Sequence, residues 1–405
     1  MTAANGRRVP LRWRGIAALA VLVGLAGTGC SSPTGLPQES ARSDSSPNAN
    51  RDDGPKREEP TFRLEDFGAV CDGRHDDRPA LQAAAQAAAR MGGGAVAVPR
   101  GSCRIVATAA RPTVALGSRV TLAGAGPRAS SLLLDTDEPS AYRELLRTAG
   151  DDIAVTDLTL TSTAGIYGVF VQIDAGRGLN LADVVIDGPG LQSGQTPLHG
   201  LSLPIEGVLQ DVRIHGVTIR GVEYGLFQRN ESTATVTGFT VVDSTFTDNH
   251  ADDLSFNAPK GIMRNVLVQN SDFSGGGGFG ISLANVQDVV LRGNRLRDKA
   301  KEFVHIEDRS SDVLIEGNIF SGNGPNTQDW YSFVLVINGS DQIDITGNTF
   351  RTSPAATPFQ CVYVSPGGDG RPAPQDVTVR NNEADLTENT VLVSSYGDSD
   401  VVVAG

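Results

Sequence analysis

Asp252-Asp253-Leu254-Ser255-Phe256, Phe279-Gly280-Ile281-Ser282-Leu283 and Glu302-Phe303-Val304-His305-Ile306 can be laid over one another. In each segment the third and fifth residues are apolar, and the two-residue period of a strand puts them on one face. The residues between and after them (Asp253, Ser255, Asn257; Gly280, Ser282, Ala284; Phe303, His305, Glu307) are then expected on the other. Stacked as neighbouring parallel strands, they form a polar, partly carboxylate-lined surface with small residues through its middle. A site is expected on that surface.

The segment recurs outward in both directions, as Tyr167–Val171, His199–Leu203 and Tyr224–Gln228 upstream and Ser332–Val336 and Gln360–Val364 downstream. A second repeat alternates with it and ends at Asn294, Asn318, Asn348 and Asn382, which are 24, 30 and 34 residues apart. A drifting period with two or more short strands per repeat, and no helix between them, predicts a solenoid, here a parallel β-helix. The asparagines read as corner residues, since Asn tolerates the left-handed conformation of a tight turn.

Residues 1–29 are excluded from the fold. Arg7, Arg8, Arg12 and Arg14 precede an apolar run from Ile16 to Leu25, and small residues lead to Cys30. This reads as an export signal. Cys30 after Gly27-Thr28-Gly29 resembles a bacterial lipoprotein lipobox, which implies lipidation at Cys30; the alternative is plain secretion. Residues 30–60 are poor in large apolar residues and read as a tether. Residues 61–405 form one β-helix domain, expected to be a monomer at the cell surface or in the periplasm, or secreted.

The formal net charge is −13, and no basic patch marks a nucleic-acid binder. Of the four cysteines, Cys71 and Cys103 flank the N-terminal helix region and are predicted to pair in an oxidising compartment. Cys361 is left over and is expected on an outward strand face.

Asp66-Phe67-Gly68-Ala69-Val70-Cys71-Asp72-Gly73, then Asp76-Asp77, Ala80-Leu81-Gln82-Ala83-Ala84, the triplet Gly92–Gly94 and Ala95–Pro99 strongly resemble the start of the pectate-lyase-like β-helix superfamily. The resemblance implies an all-β, single-stranded right-handed parallel β-helix of roughly ten coils. Physical reading agrees: Asp76 or Asp77 can cap a helix whose first turn holds Pro79, and the glycines stop it. Such a helix covers the open end of the solenoid.

The rungs also resemble those of polygalacturonases, inverting hydrolases that carry a DD pair, a GHG and an R-x-K on successive rungs. Asp252 matches the second Asp of the pair; the first falls on Ala251, the His on Phe279, the Arg on His305 and the Lys on Glu307. A further family Asp falls on Tyr224. That family's mechanism therefore does not transfer.

The candidate catalytic residues are Asp252, Asp253, His305, Glu307 and Glu302. Strands about 4.8 Å apart put Asp252 and Glu302 roughly 10 Å apart, within reach of the carboxyl spacing of an inverting hydrolase. Elimination from a uronic acid is the second route. There a cation such as calcium neutralises the carboxylate, with Asp252, Asp253, Glu307 and Asp308 as hard oxygen ligands, and His305, Arg309 or Lys260 serves as base or charge partner. Phe279, Trp330, Tyr331 and Tyr363 offer platforms for sugar rings, and the insertion from Ser321 to Trp330 a wall. The expected function is degradation of an extracellular polysaccharide by a hydrolase or lyase; an epimerase uses chemistry close to the lyase's. The alternative is a non-catalytic glycan-binding or scaffold β-helix.

Overall fold

The computed structural model describes residues 59–109, 113–190, 197–322, 332–353, 359–368 and 370–404. The expected leader and tether through residue 58, with Cys30, as well as Trp330, Tyr331 and nearly all of the insertion before them, lie outside the described residues.

Each coil contributes one strand to each of three parallel sheets, which contain 14, 12 and 11 strands. Through the middle of the molecule the chain runs Leu254–Asn257 in the third sheet, Ile262–Gln269 in the first, Asp272–Ser274 in the second, and then returns to the third at Ile281–Ala284. The next coil repeats the order and arrives at Val304–Glu307. The register is strict: Leu254 pairs with Ile281, Ile281 with Val304 and Val304 with Val334.

Corners are made by residues in the left-handed region. At one corner of successive coils stand Asp243, Asn270, Gly293, Gly317, Gly347 and Asn381, all with positive φ. This corrects the reading of the second repeat by one residue. Asn294, Asn318 and Asn348 lie after the corner, face inward and are at most 1% exposed. Their amides form a ladder: Asn294 Nδ2 donates to Asn318 Oδ1 at 3.0 Å, Asn318 Nδ2 to Asn348 Oδ1 at 3.0 Å, and Asn348 Nδ2 to Asn382 Oδ1 at 3.0 Å. Each Oδ1 also accepts the backbone N–H of the residue one coil before, as Asn318 does from Asn294 at 2.8 Å. An amide supplies both donor and acceptor, so one side-chain type repeated at the rung spacing satisfies the backbone inside the turn.

The interior is a continuous apolar column with stacked rings, including Phe246 on Phe273 with centroids 5.0 Å apart and Phe320 on Phe350 at 5.0 Å. The open end is covered by the helix Arg78–Arg90, whose Ala80, Leu81, Ala84, Ala85 and Ala88 are buried. Asp77 is the N-cap by position, but its carboxylate reaches back instead, accepting from the N–H of Val70 at 2.7 Å and of Cys71 at 3.1 Å. It is Asp76 Oδ1 that accepts the Arg78 N–H, at 3.2 Å. Cys71 and Cys103 form a disulfide with Cα atoms 3.8 Å apart. Gly94 ends the passage out of the helix at φ +140°, where a Cβ would meet Pro60 O at 2.5 Å.

Strict alternation fails at one position of the third sheet. Phe170, Asp253, Phe303, Phe333 and Cys361 each precede the first regular inward residue of their rung, and all are fully buried. Gly200, Gly225 and Gly280 occupy the same column, and a Cβ there would approach interior side chains such as Ile219, Phe246 and Leu296. The chain enters each strand from a corner, and two consecutive side chains point inward there. Phe303 is therefore core, packed 4.7 Å from Phe333 between ring centroids. Cys361 is a free thiol inside the core rather than on an outward face; burial pushes its pKa up to about 12.

Candidate active site

The same half-turn that sends Asp253 inward sends Asp252 outward. With the register above, Tyr224, Asp252, Phe279 and Glu302 form one outward column of the third sheet. Ser255, Ser282 and His305 form the next, and Asn257, Ala284 and Glu307 the third. Asp253, expected in the groove, is instead fully buried in an ion pair with Lys299 Nζ at 2.8 Å and accepts from Asn249 Nδ2 at 2.8 Å. A charge in the core persists only with such partners.

Asp252 is 8% exposed and its Oδ1 accepts the Phe279 N–H at 3.1 Å. Burial raises its pKa; that hydrogen bond and the positive charges of Lys301 and His305 pull it part of the way back. The Phe279 ring lies against the His305 imidazole with centroids 4.4 Å apart, and Lys301 Nζ sits 4.9 Å from the same ring. Phe279 thus separates and orients three charged groups, its face favouring the ammonium.

His305 stands between two carboxylates. Its Nδ1 is 3.8 Å from Glu302 Oε2, and its Nε2 is 3.5 Å from Glu307 Oε2. Burial alone lowers the imidazole pKa, but the two carboxylates outweigh burial and bring it up to about 9. Glu302 is 1% exposed, and neither of its oxygens has a hydrogen-bond partner, so its charge is poorly screened and acts on His305 at close range. Glu307 is held well placed from outside, accepting from Asn338 Nδ2 at 3.4 Å. Its pKa is lowered: burial raises it, but His305 and then Arg371 overcome that.

Two expected arrangements do not assemble. Glu302 is buried beside His305, so it does not present a carboxylate to water opposite Asp252 as inverting hydrolysis requires. Asp252, Asp253, Glu307 and Asp308 do not converge as a metal cage; among the described residues the only group of three candidate ligands in mutual reach is Cys71, Asp77 and Cys103, whose sulfurs are already bonded to each other. Lys260 and Arg309 are exposed in turns beyond the strands. Tyr363 packs against Tyr396 with tilted rings, centroids 5.3 Å apart, further along the face.

Sequence reading passed over Lys301, which a strand pattern treats as a solvated flank. It also passed over the upstream half of the face. There His199 stacks on Phe227 at 4.7 Å and meets Tyr224 at 5.5 Å, with Arg229 over the Tyr142 ring at 5.9 Å. Tyr142, Glu144, Arg147, Gln172, Asp174 and Arg229 line a groove of about 490 Å³ on this same sheet. Burial, then the charge of Arg229, brings His199 down to about 4. Its aromatic neighbours were visible in the repeats, but their clustering depends on register.

Residues 205–401 match the family model described as right-handed β-helix region. The mannuronan C5-epimerase AlgE2 of Azotobacter vinelandii is 28% identical over 277 residues, 65% of this chain but 25% of that protein, so the chain spans about a quarter of that relative's length. The A-module of mannuronan C5-epimerase AlgE6 from the same organism superposes with a TM-score of 0.65 at 20% identity, over 85% of this chain and 94% of that one. The catalytic unit of an α-1,3-glucanase from Streptomyces thermodiastaticus gives a TM-score of 0.60 at 19% identity, over 85% and 68%. At those identities the structural likeness is one of fold. The chain folds as a right-handed parallel β-helix and is similar, over part of its length, to mannuronan C5-epimerases.

Proposed function

We propose that this protein acts on a uronate-containing extracellular polysaccharide by removing the proton on the carbon beside the sugar carboxylate. The observation that carries this reading is the pairing of one high-pKa carboxylate, Asp252, with two cations, His305 and Lys301, across the Phe279 ring. Proton abstraction beside a carboxylate needs that combination. Cations must neutralise the substrate carboxylate as charge develops on it, and a base must sit close enough to take the proton. Burial strengthens Asp252 as a base.

In this scheme the substrate carboxylate lies against His305 and Lys301. Asp252 takes the proton on C5, and the electron pair moves into the carboxylate. The Tyr224 phenol, one rung upstream, is the proton donor; burial first, then the charges of Asp252 and Glu223, keep it protonated. Return of a proton to the opposite side of C5 completes epimerisation. Departure of the C4 oxygen, which receives the proton, completes elimination. The similarity to mannuronan C5-epimerases supports this class over hydrolysis.

Incubation of the purified chain with mannuronate, guluronate and galacturonate polymers in deuterium oxide tests it. Deuterium at C5 of recovered polymer, or ultraviolet absorbance of an unsaturated uronate, is expected. New reducing ends without either signal would establish hydrolysis instead. Binding with no change in the polymer would favour the non-catalytic reading, which the replaced polygalacturonase positions at Ala251 and Phe279 support.

We also propose export and anchoring through lipidated Cys30, supported by the leader's charge pattern and by the Cys71–Cys103 disulfide, which suits an oxidising compartment. The intact mass of membrane-extracted protein should show a lipid-modified Cys30 at the N-terminus. An unmodified, freely soluble chain would refute the anchor.

A further inference from the structure

The outer face of the second sheet carries a feature that the chemistry above does not use. Arg295 and Arg297 project from one short strand, and Arg351 lies two rungs beyond Arg297 in the same column, with Ser321 between. With Thr245, Asp272, Ile319 and Ser321 they line a groove of about 610 Å³. All three arginines are exposed. Among the described residues none of the three has an ion-pair partner. Elsewhere on the outer faces the pattern is the reverse: Arg220 pairs with Asp187, Arg292 with Glu316 and Arg380 with Asp344, at 2.6 to 2.8 Å. In a chain of net charge −13, three neighbouring arginines against the single acid of the lining, Asp272, are a local reversal of sign.

The geometry points to a second binding site, on the second sheet, for an anionic polysaccharide chain. Guanidinium groups suit carboxylate or sulfate by paired hydrogen bonds. Their spacing is set by the solenoid: about 7 Å between alternate residues of one strand and about 10 Å across two rungs. The two directions are perpendicular, so the three guanidiniums form a small triangle of charge, which a chain carrying one anion on every sugar can engage through successive units. The patch is also bounded, by Asp248 and Asp298 along one corner and by Glu383 and Asp385 on the next coil. A flat anionic membrane or a nucleic-acid duplex would press its charges on those acids and on the acidic surface around them. A single glycan chain need not. This site shares only its ligand class with the proposed function and does not require catalysis on the third sheet.

The test is calorimetric titration of the full chain with a β-1,4-linked hexamannuronate, with cellohexaose as the uncharged control. Two binding events are expected for the charged hexamer and none on the arginine groove for cellohexaose. The variant Arg295→Gln, Arg297→Gln, Arg351→Gln should weaken one event at least about tenfold, since charge-assisted hydrogen bonds are lost, and flatten its salt dependence. Its thermal midpoint and any turnover should match the parent. Asp252→Asn should leave the arginine event intact, so absence of catalysis would not be mistaken for absence of this site. Unchanged stoichiometry and affinity in the triple variant would overturn the proposal. So would binding to phosphatidylglycerol vesicles that alone responds to the three substitutions.

Discussion

His305 and His199 stand on the same sheet face, both 8% exposed, and carry opposite charge states at neutral pH. Burial opposes charge at both. At His199 nothing negative answers it: the imidazole is packed between Phe227 and Tyr224, its Nδ1 has no partner, and Arg229 adds repulsion. At His305 two carboxylates converge, Glu302 from just before the strand and Glu307 from its end. The lesson is that burial sets the sensitivity of a group and its neighbours set the sign. One end of the face carries an aromatic platform around a neutral imidazole, suited to sugar rings, and the other a charged imidazole held between carboxylates, suited to chemistry.

The largest expected effect separates the two ends directly. Asp252→Asn should lower turnover by at least about 10²-fold, the lower end for loss of a general base, with the thermal midpoint unchanged. His199→Gln should change turnover by less than about tenfold and act mainly on KM. Equal losses at both ends would break the comparison.

Beneath the charged end, Lys299→Met leaves Asp253 as an uncompensated buried carboxylate. Denaturant unfolding should show a loss of about 3–5 kcal/mol. Truncating exposed Lys260 should cost no more than about 0.5 kcal/mol.

Glu302→Gln removes one of the two charges that hold His305 protonated. The imidazole resonances should titrate at least about one unit lower than in the parent, and the alkaline limb of the activity profile should move down with them. An unmoved midpoint would mean that Glu307 alone sets the charge.

The smallest effects are in the pH dependence of stability, and they have opposite signs. His305 has a folded pKa of about 9 against 6.5 for the ordinary imidazole. Its stabilisation is fully present below pH 6.5 and is lost as pH rises toward 9. His199 is depressed to about 4, so the unfolded chain binds its proton first and stability falls as pH drops from 6.5 toward 4. Denaturation midpoints across pH should show each slope vanish in the corresponding His→Gln variant.

The sequence alone determined the solenoid. Short apolar strands repeating at a drifting spacing can bury their inward faces only by stacking, and the Asp76–Ala84 and Gly92–Gly94 pattern marked the capping helix at its end. It also placed Glu302, His305 and Glu307 on one rung and Asp252 two rungs before it, because register follows from the apolar positions. Tertiary structure decided which way each side chain points at the corners. A two-residue period holds within a strand and fails where the backbone enters it, so Asp253 and Phe303 went inside and Asp252 came out. Only the fold could show that Asn294, Asn318 and Asn348 form an internal ladder one residue past the turn. Charge was the least legible property. His199 and His305 occupy similar repeats in the sequence, and their opposite titration depends on which groups distant coils bring within a few ångströms.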